Sequence, residues 1–194
     1  MNPHFFSLQF DKKFRILYVF LIILTFSLFW IGSPAGINTI AWCFLVVYFS
    51  LITCIDVQNQ IISRISSIIG FWLGFLIGTG RNGWLDTMMG GFTGLLIMGI
   101  LYYAGHYMTI VIARRNEKPV GEAIGLGDVC FAGVIGLLLG WPYILHGIIY
   151  SILFAGVYGL VVLVVQISKG QYHFGIEIPL APFFIVSTIW LLYK

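Results

Sequence analysis

Long apolar runs separated by short polar segments dominate this sequence. The runs cover, approximately, residues 16–31, 37–55, 65–78, 87–112, 129–140, 142–166 and 178–193. A transmembrane helix needs about 20 predominantly apolar residues, and a proline such as Pro142 interrupts a helix. The pattern therefore predicts an all-α fold, a polytopic membrane bundle of about seven transmembrane helices.

Composition supports the same class. Hydrophobic residues make up 60% of the 194 residues and charged residues only 9%, whereas soluble domains carry about 25% charged residues. We expect a cytoplasmic N-terminal segment over residues 1–15 and a single transmembrane domain over residues 16–194. The order of basic, apolar and small residues near the N-terminus also fits a cleaved signal peptide, but the spans that follow favour a retained first helix.

The distribution of basic residues predicts the orientation. With the N-terminus in the cytoplasm, eight of the ten basic residues fall on the cytoplasmic side, and only Arg81 and Lys194 fall outside. Cytoplasmic loops of membrane proteins are enriched in Lys and Arg. We therefore expect Asp56 and Asp128 to lie at the same, cytoplasmic end of the bundle.

These two aspartates are the candidate catalytic residues. Asp56 closes the second apolar run, and Asp128 follows the glycines of Gly125-Leu126-Gly127 at the start of the short run 129–140. Asp128 alone could simply cap the next helix, but an ionisable group at membrane depth is costly and usually functional. Because about twelve residues span only about 18 Å, we expect Asp128 to be recessed below the membrane surface in a water-accessible cavity.

Two carboxyl groups that share a site can hydrolyse a peptide bond. One retains a proton while the other is ionised, so the pair can activate water and polarise a carbonyl. The scattered cysteines and histidines have no metal-ligand spacing, and the chain carries no phosphate-binding loop. We therefore predict no metal, no cofactor and no nucleic-acid partner. The alternative from the residues alone is a proton or ion relay.

Three segments resemble the type IV prepilin peptidases, the GxGD aspartyl proteases of bacterial membranes. They are Glu122-Ala123-Ile124-Gly125-Leu126-Gly127-Asp128-Val129, Ile55-Asp56-Val57 and Ile178-Pro179-Leu180-Ala181-Pro182-Phe183. The resemblance spans about residues 40–185. It implies an aspartic endopeptidase with Asp56 and Asp128 as catalytic residues and with Gly125, Gly127 and Glu122 as supporting positions in the loop. It also implies a prepilin-like substrate whose basic leader is cut at the cytoplasmic membrane of a bacterium or archaeon.

The sequence departs from that family at several positions. Ser63 lies where the family has an Ile-Pro-Asn type segment, Cys130 replaces a lysine, and Ala181 replaces a glycine. These changes keep open a degenerate member that binds pilin-like proteins without cutting them. Glu122 also fits a solvated loop carboxylate. Because no CxxC motif is present and only about fifteen polar residues precede the first run, we expect a short form without the family's methyltransferase segment.

Overall fold

The computed structural model describes residues 32–59, 64–116, 125–168 and 179–194. These residues form six α-helices and no strand, in agreement with the predicted all-α class. The helices are α1 (Thr39–Asn59), α2 (Arg64–Asn82), α3 (Trp84–Asn116), α4 (Leu126–Leu139), α5 (Tyr143–Ser168) and α6 (Ala181–Leu192). The predicted first span, residues 16–31, lies outside the described residues.

The connection between α2 and α3 is much tighter than the sequence suggested. The polar residues of the stretch 80–86 predict a turn over its whole length, but in the structure α2 continues to Asn82, α3 begins at Trp84, and only Gly83 separates them. Gly83 has a φ of 85°, a left-handed conformation that glycine adopts without steric cost. One residue therefore reverses the chain, and polar side chains that looked like a loop belong to helix ends.

Helix α4 forms the centre of the bundle. It packs against α2, α3, α5 and α6, and every residue from Phe131 to Leu139 is buried. The apolar run of α4 is therefore enclosed by protein over most of its length. With 14 residues and a rise of 1.5 Å per residue, the helix is about 21 Å long.

Small residues allow α2 and α3 to approach α4 closely. A Cβ atom added at Gly90 would collide with the carbonyl oxygen of Gly136, and one added at Gly94 would collide with that of Ala132. On α2, a Cβ at Gly74 would lie 2.9 Å from the carbonyl oxygen of Val134. In the sequence, Gly74 and Gly78 on α2 and Gly90 and Gly94 on α3 are spaced four apart, which predicts a small-residue contact face on each helix, and the structure confirms both faces. Close backbone approach of this kind is typical of helix packing in membranes.

Three described helices have segments long and apolar enough to cross a membrane: Thr39–Asp56, Trp84–Val111 and Tyr143–Ser168. The alternating helix directions give the bundle two ends. One end, called here the aspartate end, carries the C-terminus of α1 and the N-termini of α4 and α6. The opposite end carries the turn at Gly83, and there Arg81 Nη2 donates to the carbonyl oxygen of Leu192 at 3.1 Å.

Candidate active site

Asp56 lies in the last turn of α1 and is almost completely buried, with 3% of its surface exposed. Its Oδ2 atom accepts a hydrogen bond of 3.0 Å from the backbone N–H of Ala181. Ala181 is the first residue of α6, and the first N–H groups of a helix have no partner within the helix. The partial positive charge of that helix terminus also favours a carboxylate. The N-terminus of α6 therefore holds the Asp56 side chain in place.

Asp128 is the third residue of α4 and is half-buried. Its Oδ2 atom accepts a hydrogen bond of 3.3 Å from the N–H of Gly125, while its own N–H donates to the carbonyl oxygen of Gly125 at 3.1 Å. The carboxylate thus stabilises the beginning of α4. Asp128 thus caps the helix from inside the first turn rather than from the residue before the helix, and this contact leaves the catalytic interpretation open.

Helix α6 connects the two aspartates across the bundle. It packs against α1, where it reaches Asp56, and against α4, where the Phe184 ring meets the Phe131 ring edge-on with centroids 6.3 Å apart. The carboxyl groups of Asp56 and Asp128 lie close enough to interact electrostatically. The structure therefore brings together two acidic residues that are 72 positions apart in the sequence.

Each carboxyl group has one oxygen engaged with a backbone amide and a second oxygen without a hydrogen bond of its own in the described part of the chain. A backbone amide cannot rotate away, so it fixes the side-chain direction more firmly than another flexible side chain would. Such an arrangement leaves an acceptor or donor position on each residue for water or a peptide carbonyl.

The structure describes two of the three supporting loop positions, Gly125 and Gly127, and in neither does the local structure match a glycine-rich turn. Gly125 precedes α4 with φ −85° and ψ 151°, an extended conformation open to any residue. Among the described residues, a Cβ there would approach nothing closer than 3.7 Å. Neither the backbone nor these described neighbours therefore demand a glycine at this position. Gly127 belongs to the first turn of α4 rather than to a glycine-rich turn. Glu122 lies outside the described residues.

Sequence reasoning missed the part played by Ala181. The segment Ile178–Phe183 resembles a segment of the prepilin peptidases, but nothing in the sequence predicts that it contacts either aspartate. Pro182, the second residue of α6, was the available signal, because proline favours the first turn of a helix. A helix that begins there presents free N–H groups to whatever lies opposite.

A model of the type IV leader peptidase family matches residues 43–160, which is more than half of the chain. This protein belongs to the type IV leader peptidase family. The match confirms the resemblance drawn from the sequence. Comparison with curated proteins and with solved structures gave no match.

The region shared with the leader peptidases contains both aspartates, Asp56 and Asp128, together with helices α2 and α3 between them. Ala181 lies beyond the matched region. Within the described residues, no group of three His, Cys, Asp or Glu side chains is placed to hold a metal ion. The leader-peptidase assignment supports a peptidase associated with membranes, and the candidate chemistry rests on the two carboxyl groups.

Proposed function

We propose that this protein is an aspartic endopeptidase that removes the basic leader from type IV prepilin-like precursors. The observation that carries the proposal is the juxtaposition of Asp56 and Asp128 at one end of the bundle in a member of the leader peptidase family. The enzyme would act at the cytoplasmic face of a bacterial or archaeal membrane, in the service of pili or protein secretion.

The proposed reaction needs one carboxyl group ionised and the other protonated. The ionised group removes a proton from a water molecule as that water attacks the scissile carbonyl, and the protonated group donates to the carbonyl oxygen. The tetrahedral intermediate then collapses and the C–N bond breaks. The leaving amine takes the proton that the first carboxyl group removed from water, and the second carboxyl group recovers its proton from the former carbonyl oxygen. The amide bonds from Ala181 and Gly125 orient the two carboxyl groups for these transfers.

The location of Asp56 and Asp128 at the end of the bundle suits a prepilin-like substrate. A prepilin-like precursor has a basic leader followed by an apolar helix, so its cleavage site lies at the membrane surface. Asp56 lies in the last turn of a 21-residue apolar helix and Asp128 in the first turn of a 14-residue one, so both carboxyl groups lie near the end of the bundle rather than at its middle. The basic residues of the chain concentrate at this same end in the predicted orientation.

The test is cleavage of a prepilin-like reporter by the purified full chain, with the products identified by mass spectrometry. The variants Asp56→Asn and Asp128→Asn keep the side-chain size but remove the ionisable group. Each should lower the cleavage rate by about a hundredfold to ten-thousandfold, the usual contribution of a general acid or base.

Asp86→Asn is the matched control, because Asp86 is an exposed aspartate in the first turn of α3 at the opposite end of the bundle. It should cleave at the wild-type rate. The proposal would be contradicted if correctly inserted wild-type protein left a broad panel of leader peptides uncut. Ion flux through liposomes that contain the protein would then favour the alternative, a proton or ion relay.

A further inference from the structure

A second polar site lies at the end of the bundle opposite to the aspartates. A cavity of about 770 Å³ opens between the segment before α1, the C-termini of α2, α4 and α6, and the first two turns of α5. Its lining includes the cations Arg81 and Lys194 and the polar side chains of Ser33, Asn82, Tyr143, His146, Tyr150 and Tyr193. This volume falls within the range of small-molecule sites.

Arg81 is the central group of this cavity. Its Nη2 atom donates to the carbonyl oxygen of Leu192, but its Nη1 atom is buried and has no hydrogen-bond partner in the described part of the chain. A guanidinium remains protonated under all ordinary conditions, and a buried polar atom without a partner is rare and costly. Arg81 therefore lines the cavity and retains a hydrogen-bond donor without a partner among the described residues.

The rest of the lining favours an anionic acceptor. No aspartate or glutamate side chain is among the described residues that line the cavity, whereas Lys194 adds a second positive charge. The Tyr143 side chain lies close enough to Arg81 to interact with it electrostatically, so its hydroxyl can donate to the same ligand. The planar fork of arginine matches the oxygens of a phosphate group.

The cavity walls also include the apolar side chains of Leu139, Leu191 and Leu192. A phosphate group alone fills only a small part of about 770 Å³. A site lined by both cationic side chains and leucines suits a phosphate that is attached to a larger, partly apolar molecule.

We propose that this cavity binds a phosphate anion, either as the headgroup of an anionic phospholipid or as free phosphate. The site is separate from the aspartate end and does not depend on the peptidase proposal. Bound phosphate would pair with Arg81 and join the ends of α2, α5 and α6, so it should also stabilise the bundle.

Binding can be measured on the full chain in detergent micelles by native mass spectrometry and by thermal unfolding. The probes are phosphatidylglycerol, diacylglycerol as a lipid without phosphate, and inorganic phosphate. Retention of phosphatidylglycerol but not diacylglycerol, with a rise in unfolding temperature, supports the lipid source. A rise with inorganic phosphate alone supports the free anion. No effect of either phosphate probe would overturn the proposal.

The variants locate the site. Arg81→Gln should weaken binding of the phosphate probe at least about tenfold, as expected for hydrogen bonds to a charged group. Lys194→Gln, at an exposed position, should weaken it a few-fold and keeps the test valid if Arg81→Gln does not fold. Arg115→Gln also removes one positive charge, but near the C-terminus of α3, away from the cavity. This variant should leave binding of the phosphate probe unchanged. Equal losses for Arg115→Gln and the cavity variants would contradict the assignment.

Discussion

At each candidate aspartate, a backbone amide rather than a side chain fixes the carboxyl group. The bond from Ala181 to Asp56 joins residues 125 positions apart, whereas the bond from Gly125 to Asp128 is local. The local bond follows from the position of Asp128 in the first turn of a helix. The distant bond depends on how α6 packs against α1, which no short-range pattern in the sequence contains.

Ala181 offers a direct test of the distant bond. Ala181→Pro removes the N–H that holds Asp56 while keeping a residue type that the first position of a helix accepts. We expect reporter cleavage to fall about tenfold or more, since hydrogen bonds to charged groups contribute about 1.5–3 kcal/mol. Kinetic constants for reporter cleavage are the measurement.

Ala181→Gly is the control, because it keeps the N–H and introduces the residue that the related peptidases carry. It should retain wild-type activity. Since proline disfavours the helical backbone of the preceding Leu180, the insertion and unfolding temperature of both variants must be compared. Full activity of a correctly folded Ala181→Pro protein would show that the amide does not position Asp56.

At the scale of the helices, close contact between α3 and α4 sets the position of Asp128. Gly94→Ala places a methyl group against the carbonyl oxygen of Ala132, so the helices must separate. We expect a destabilisation of about 1–3 kcal/mol, the usual cost of overpacking. The free energy of unfolding in detergent is the measurement.

Gly99→Ala is a matched control in the same helix, since a Cβ at Gly99 meets no described residue within 4 Å. Alanine has the higher helix propensity by about 1 kcal/mol, so this variant should be as stable as the wild type or more so. Equal destabilisation by both substitutions would mean that the contact of Gly94 with α4 does not cause the effect.

The apolar runs in the sequence were sufficient to locate all six described helices, because each helix contains one continuous hydrophobic segment. The runs predicted the first and last residues of the helices less well. Polar residues at the end of α2 and the start of α3 resembled a loop, yet Gly83 alone makes the turn. The spacing of the glycines at 74, 90 and 94 predicts contact faces, but only the tertiary structure shows that their partners lie on α4.

At the scale of the whole molecule, the bundle has two chemically different ends. Asp56 and Asp128 lie at one end, and Arg81 with the phosphate cavity lies at the other. The sequence predicted this separation through the alternation of spans and the bias of basic residues. It did not predict the cavity, which forms only where the ends of four helices meet the segment before α1.

Thiol labelling of intact cells tests the orientation of these ends. In a background without Cys43, Cys54 and Cys130, Asp86→Cys should react with a membrane-impermeant reagent added outside. Leu126→Cys, an exposed position beside Asp128, should react only after the cytoplasm is opened. Labelling of both positions from the same side would refute the proposed topology.

The measurement that tests the central claim most directly is a double-variant cycle on Asp56 and Asp128. Reporter cleavage is compared for Asp56→Asn, Asp128→Asn and the protein carrying both changes. Residues that act as one catalytic unit are strongly non-additive, so each single variant should lose nearly all activity and the double variant should lose no more. Near wild-type cleavage by either single variant, or losses that multiply in the double variant, would contradict a shared two-aspartate mechanism.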